Sequence, residues 1–256
     1  MFDAEASDQP LGADVEEVVN YVRAMESGLQ RLETLPVSTR LIREMHAVIL
    51  AGVRERQPGE LRSTQNWIGP AGATIEAATF VPPPPGELHV LLTDLERFVH
   101  EEPVLPPLVQ AALVHYQFET IHPFLDGNGR LGRLLIVFFL VVRGRLPEPL
   151  LYLSPYFEAR RQQYYDALQG IRERGEFHRW LGLFLDGVRV QAIDAVARAE
   201  RLADLREHYR SGSVRRRGAP PIDSSISPSS NQCSTRASSK RVSTSRGRRR
   251  SPRCAI

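Results

Sequence analysis

The chain has 256 residues, enough for one large domain or a domain plus an appendage, and 42% of them are hydrophobic, enough for a sizeable core. No run reaches 18 apolar residues, which excludes a membrane-spanning helix from the reading. The formal charge of +3 is split: residues 211–256 hold eleven Lys and Arg against a single acid, Asp223, so residues 1–210 are mildly acidic and global basicity says nothing about the folded part.

The acidic start (Asp3, Glu5, Asp8) is no signal peptide, and a cytoplasmic protein is expected. Both cysteines, Cys233 and Cys254, lie near the C-terminal end, so no disulfide staples the core. From Asp14, the residues Val15, Val18, Val19, Val22, Met25, Leu29 and Leu32 recur at helical spacing, and Pro36 stops this first helix. Ser38 caps a second helix with Leu41, Ile42, Met45, Val48 and Ile49 on its apolar stripe.

Gln65 to Val81 is the one β signal, with Trp67, Ile68, Thr74, Ile75, Thr79 and Phe80 around Gly69-Pro70-Ala71-Gly72. It predicts a two-stranded hairpin over about residues 64–85 that leans on the helices, since a lone ribbon is marginal in water. Pro82 to Pro85 form a stiff exit. A third helix is predicted over 86–99, and a fourth is opened by Pro106-Pro107 and delivers Ile121-His122. A buried helix follows over 129–143. Pro155 starts another with Tyr164 and Tyr165, and a last helix runs from Phe177 to about residue 209. The fold class is therefore mainly α, a helical bundle with one β-hairpin flap.

The chemistry concentrates in His122-Pro123-Phe124-Leu125-Asp126-Gly127-Asn128-Gly129-Arg130-Leu131-Gly132-Arg133. Directly behind it, Leu134 to Val142 is apolar on every face and reads as a core helix. A loop with two glycines at the N-terminus of a buried helix is an anion site, because unpaired amides converge there and the dipole adds about half a positive charge. Arg130 and Arg133, three apart, fall on one face and can fork onto phosphate oxygens. Asp126 would repel a bare phosphate, which makes sense if it holds a Mg²⁺ that bridges phosphates. His122 is then left as the general base. A plain loop between a C-cap and an N-cap would explain Gly-Asn-Gly alone, but here seven polar or glycine positions fit one task.

His-Pro-Phe-x-Asp-Gly-Asn-Gly-Arg-x-x-Arg resembles the signature of the Fic-domain family, and each specified position is matched. Gln65-Asn66-Trp67-Ile68-Gly69 and the proline run resemble the family's flap, and the similarity covers roughly residues 10–208. The resemblance implies a protein adenylyltransferase that moves AMP from ATP to a Ser, Thr or Tyr hydroxyl of a target protein, or of itself, and releases pyrophosphate. It assigns the base to His122, Mg²⁺ to Asp126, and the α-phosphate cradle to the amides of Gly127, Asn128 and Gly129, with the Asn128 side chain adding a hydrogen bond. Arg130 and Arg133 would neutralise the triphosphate, and Tyr164 or Tyr165 would either stack on the base or pack the core. Trp67, Ile68, Gly69, Thr74 and Ile75 would dock the target on the flap. The domains expected are a helical segment at 1–36, a catalytic domain at 37–209 and a basic disordered tail at 210–256.

Two departures from the family pattern stand out. Many members carry an inhibitory [S/T]-x-x-x-E-[G/N] helix whose Glu pairs with the last motif arginine, and none occurs here before the hairpin; Ser154-Pro155-Tyr156-Phe157-Glu158-Ala159 comes nearest, ending in Ala. Arg133 is thus expected to lack that partner, and a truncated start is one explanation. After Ser211 apolar periodicity gives way to Ser, Arg and Pro, where similar chains continue into a small winged-helix domain. A plain tail, a basic arm for nucleic acid and a frameshifted end compete there; no aromatics interleave the basic residues, so nucleic acid is the weaker reading. Removing residues 211–256 is expected to leave melting temperature and catalysis unchanged; a fall of more than a few degrees would show that the segment packs. Other nucleotidyl or phosphoryl transfer, removal of AMP by the same site, and a non-catalytic binding module remain the alternative functions.

Overall fold

A computed structural model describes residues 11–52, 57–70, 72–101 and 105–210, with side chains from residue 15 onward. The N-terminal residues 1–10 and the predicted basic tail beyond residue 210 lie outside the described residues. The chain divides into two units, Met1–Arg206 and Glu207–Ile256. The helices are α1 (Leu11–Leu32), α2 (Thr39–Ile49), α3 (Leu88–His100), α4 (Pro107–Ile121), α5 (Asn128–Val142), α6 (Ser154–Ala159), α7 (Arg161–Arg174) and α8 (Phe177–Arg210). No helix among the described residues is long and apolar enough to cross a membrane.

Local chemistry sets most of these boundaries. Ser38 precedes α2 in extended geometry, and its hydroxyl accepts the Leu41 amide at 3.3 Å, as an N-cap should. Pro107 sits in the first turn of α4, where no amide donor is needed. Gly175 closes α7 at φ 68°, a conformation that costs glycine nothing.

The core is built on α5. Leu134 to Leu140 are buried without a gap, on every face of the helix, which is why the apolar run there shows no stripe. α4 pairs most extensively with α5, while α1 and α2 pack on each other and on it. Gly28 on α1 makes one of these approaches possible: a Cβ there would lie 2.0 Å from Phe138 Cζ. Each fully buried Phe or Leu of α5 contributes about 1.5–3 kcal/mol of transfer free energy, so this helix is a rigid base for the loop at its N-terminus.

The predicted hairpin is not a hairpin. Its two arms meet in a single antiparallel bridge, Ile68 with Phe80, and no strand forms among the described residues. The bridge carries the Ile68 amide on the Phe80 carbonyl (2.8 Å) and the Thr79 and Phe80 amides on the Ile68 carbonyl (2.8 and 3.0 Å). The physical reason lies between the arms, where Pro70 lacks a donor for a ladder and Ile75–Ala77 winds into a 3-10 turn. The arms are held instead by α7: Arg172 lies over the Phe80 ring at 3.7 Å, and Gln169 Nε2 donates to the Thr79 carbonyl at 3.3 Å. The helix expected from Pro155 is likewise two, α6 and α7, separated at Arg160.

Candidate active site

α4 ends on His122, which adopts the left-handed conformation at φ 47° and ψ 61°. A non-glycine residue there is strained, and Pro123 adds to the reason the helix cannot continue through it. What holds it is Arg62, itself 2% exposed. Its Nε donates to the His122 carbonyl at 2.9 Å and its Nη2 to the Ile121 carbonyl at 3.4 Å and to the Pro83 carbonyl. A buried guanidinium thus sits on the negative end of α4 and caps its last carbonyls. The sequence analysis gave Arg62 no role, because its partners are main-chain carbonyls far along the chain.

From His122 the loop turns back through Phe124, which is fully buried and stacks on the ring of His46 at 3.7 Å between centroids. His46 Nδ1 accepts the Gly59 amide (2.8 Å), so its Nε2–H donates to the Asp126 carbonyl (2.9 Å). The sequence reading missed His46 because it sits on the inner stripe of α2, where an apolar residue is the default. Replacing His46 with Ala removes both hydrogen bonds and the stack. A destabilisation of about 2–4 kcal/mol is expected, read from urea midpoints; a change under 0.5 kcal/mol would mean the loop is held elsewhere.

Asn128 Oδ1 accepts the Phe124 amide at 3.0 Å and its Nδ2 donates to the Phe124 carbonyl at 2.8 Å, so the side chain ties the loop closed. Gly127, left-handed at φ 76°, then hands over to α5, with the first-turn amides of Asn128 and Gly129 at the helix N-terminus. Asp126 lies beside this turn with Arg130 Nη2 at 3.4 Å, and Glu17 of α1 reaches Arg130 Nη1 at 3.1 Å. Arg133 Nε donates to Ser154 Oγ at 2.9 Å. The near-match to the inhibitory hexapeptide is α6; its Ser154 engages Arg133, whereas its Glu158 is exposed and lies 3.9 Å from Arg161.

Beside the loop opens a cavity of about 460 Å³, lined by Ile68, Gly69, Phe80, Glu119, Gly129, Arg133, Arg161, Tyr164, Tyr165 and Arg172, among others. Ile68 and Gly69 of the flap segment therefore share a wall with the motif. Trp67, Thr74 and Ile75 are exposed instead, and Trp67 Nε1 donates to the Ala73 carbonyl at 2.8 Å. Of the two tyrosines, Tyr164 is buried, with its hydroxyl 2.9 Å from His115 Nε2 and its ring among Phe157 and Trp180, whereas Tyr165 is half-buried at the cavity. Tyr164 is thus mainly a core residue.

Burial governs the charges. It pushes the imidazoles of His46, His115 and His122 down to about 4, 3 and 3, with Arg172 and Arg62 adding to the effect at His122. Burial also pushes Glu119 up to about 7, against the pull of Arg133 and Arg172. A histidine depressed on folding stabilises the protein above the unfolded value and loses that contribution as pH falls. Glu119 acts oppositely, losing its contribution as pH rises through about 7. Three groups oppose one, so stability is expected to fall from about pH 6.5 to 4.5 by on the order of 3 kcal/mol per pH unit. Denaturant midpoints against pH test this, and a flat profile would contradict neutral buried histidines.

A buried imidazole, a neighbouring carboxylate, helix-terminal amides and arginines thus gather on one loop and the first turns of α5, beside the cavity that Gly129 and Arg133 line. Residues 36–140 match the Fic/DOC family, and the chain carries a domain of that family. It is 35% identical over 161 residues to "Protein adenylyltransferase Fic" of Drosophila grimshawi, covering 62% of this chain and 29% of that protein. With the protein of the same name in Drosophila willistoni it shares 37% over 139 residues, 54% of this chain and 25% of the relative. The chain thus spans less than a third of the length of these curated relatives. Among solved structures, a Fic family protein from Desulfovibrio desulfuricans superposes with a TM-score of 0.63 at 24% identity, covering 75% of this chain and 56% of that one. Fic-1 from C. elegans gives 0.55 at 22% identity, covering 73% and 51%. At these identities the structures establish the fold.

Proposed function

We propose that this chain is a protein adenylyltransferase that moves AMP from ATP to a hydroxyl side chain of a target protein. The observation that carries the reading is the placement of His122 on the same loop as the α5 amides, beside a cavity that Arg133 and Gly129 line. His122 is neutral at working pH, so its imidazole can take the acceptor's proton as the oxygen attacks the α-phosphate. The amides of Gly127, Asn128 and Gly129 stabilise the charge that builds on the non-bridging oxygens, while Arg130 and Arg133 hold the triphosphate. The Asn128 side chain serves the loop's shape, and Tyr165 is the better placed of the two tyrosines to meet the base.

The residues suit Mg²⁺ in one particular way. No cluster of three metal-ligating side chains occurs among the described residues, and the motif offers the single hard carboxylate of Asp126. That set suits an ion held by one carboxylate and the substrate's own phosphates, the usual habit of Mg²⁺. An ion that Asp126 held there would supply charge neutralisation at the phosphates.

Ile68 and Gly69, between cavity and surface, are the part of the flap segment suited to present a target hydroxyl to His122, and exposed Trp67, Thr74 and Ile75 extend that surface. The chain itself is one candidate acceptor. Intact-mass spectrometry after incubation with ATP and Mg²⁺, alone and with cell lysate, tests the reading. Increments of one AMP on protein support it; increments of one phosphate would replace it with phosphoryl transfer, and ATP-independent capture of a partner would replace it with a binding module.

A further inference from the structure

Glu119 is a buried carboxylate that the transfer step as written leaves unused. It is 4% exposed and stands one helical turn before His122 on α4. Its Oε2 lies 3.8 Å from His122 Nδ1. Its Oε1 has no hydrogen-bond partner among the described residues, and a Cβ on Gly132 would come within 2.5 Å of that atom. A carboxylate taken from water into such a place is costly, and a leucine would pack there more cheaply. With the Glu119 carboxylate on the Nδ1 side of the ring, Nε2 is the nitrogen left to take the acceptor's proton.

Resting on the nucleotidyl-transfer reading, we propose that Glu119 is a positioning residue for His122, its carboxylate orienting the imidazole and stabilising the imidazolium formed during transfer. In that step the acceptor's O–H proton moves to His122 Nε2, and the oxygen's electron pair forms the new bond to the α-phosphorus. The bond from that phosphorus to pyrophosphate breaks, and the leaving group carries its electron pair away. The imidazole is positive until it returns the proton to water. The carboxylate at Nδ1 offsets that transient charge, as a buried acid does behind the base of other acyl and phosphoryl transferases.

The groups facing Glu119 are His115 and His122 on its own helix, Arg133 on α5, and Tyr164, Tyr165 and Arg172 on α7. The arginines favour its ionised form; burial opposes it and prevails, leaving the carboxyl to titrate near pH 7. Below that pH it is neutral and gives the imidazolium nothing. The wild-type rate should therefore rise through about pH 7 with Glu119, not with His122.

The test uses the full chain, Glu119→Gln, which keeps shape and removes charge, and Glu119→Asp, which keeps charge and shortens the reach. The first readout needs no turnover: the His122 ring resonance followed by NMR against pH. In wild type it should step near pH 7 as the neighbouring carboxyl ionises, and in Glu119→Gln that step should vanish. In turnover, Glu119→Gln should lower kcat by about 10–100-fold, leave KM for ATP within about twofold, and lose the acid limb, while Glu119→Asp retains the limb. A wild-type ring resonance that is flat near pH 7, or a Glu119→Gln enzyme with wild-type kcat and pH profile, would overturn the proposal. If wild type transfers nothing from ATP, the nucleotidyl reading fails by itself, and the NMR step still decides the pairing. If Glu119→Gln does not fold, wild type and Glu119→Asp carry the comparison, and a Glu119→Asp rate without an acid limb would count against it.

Discussion

Replacing His122 with Ala is expected to lower AMP transfer by about 10²–10⁴-fold while leaving ATP affinity within a few-fold of wild type. In the proposed mechanism the imidazole acts on the acceptor's proton, whereas the phosphates would be held by α5 amides and by Arg130 and Arg133 on a separate element. The split between rate and affinity is the informative part. The side chain is 5% exposed, but the loop is fixed through the His122 main-chain carbonyl by Arg62, through the Asp126 carbonyl by His46 and through Phe124 by Asn128. None of those bonds involves the imidazole, so the variant should keep the loop's shape. Labelled-AMP incorporation measured beside ATP binding checks both halves. Undiminished incorporation would remove His122 from the mechanism, and a joint loss of binding and transfer would make its role structural.

Asp126→Asn is expected to cost a comparable share of the rate, about 10²-fold or more, together with the Mg²⁺ requirement. A neutral amide oxygen is a weaker ligand than a carboxylate for a hard dication. The structure adds a second effect of opposite sign. Arg130 Nη2 lies 3.4 Å from Asp126, so removing the carboxylate weakens one competitor for that guanidinium. ATP binding without metal should therefore hold or improve while transfer falls. A Mg²⁺ titration of the variant that matches wild type would move the metal away from Asp126.

Which parts of this architecture could be read in advance follows from what each part depends on. The helices were legible because their causes are local: a capping Ser38, a Pro107 in the first turn, a Gly175 that accepts a positive φ. The motif's place at the start of α5 was legible because its glycines and polar residues sit within twelve positions, directly before an apolar run. The flap was misread because β-favouring residues such as Ile68, Thr79 and Phe80 show where extended chain can form but not whether a ladder does. The structure has one bridge there, with a cation–π contact to Arg172. Arg62, His46 and Glu119 were missed for a common reason. Each acts on the loop across a distance in sequence, or from a position whose helical phase marks it as core. Their partners are main-chain atoms and a buried ring, which leave no trace in composition or spacing. Asn128 shows the converse: its place in the motif suggested a ligand contact, and the structure adds that its side chain ties the loop closed.

In the proposed reaction the bond broken lies between the α- and β-phosphates of ATP. Parallel incubations with ATP labelled at the α- or the γ-phosphate, with free pyrophosphate measured in the same samples, test it most directly. Protein-bound label from α alone, pyrophosphate released in equal amount, and loss of both signals in His122→Ala are expected. Label entering protein from the γ-phosphate, with ADP in place of pyrophosphate, would contradict it.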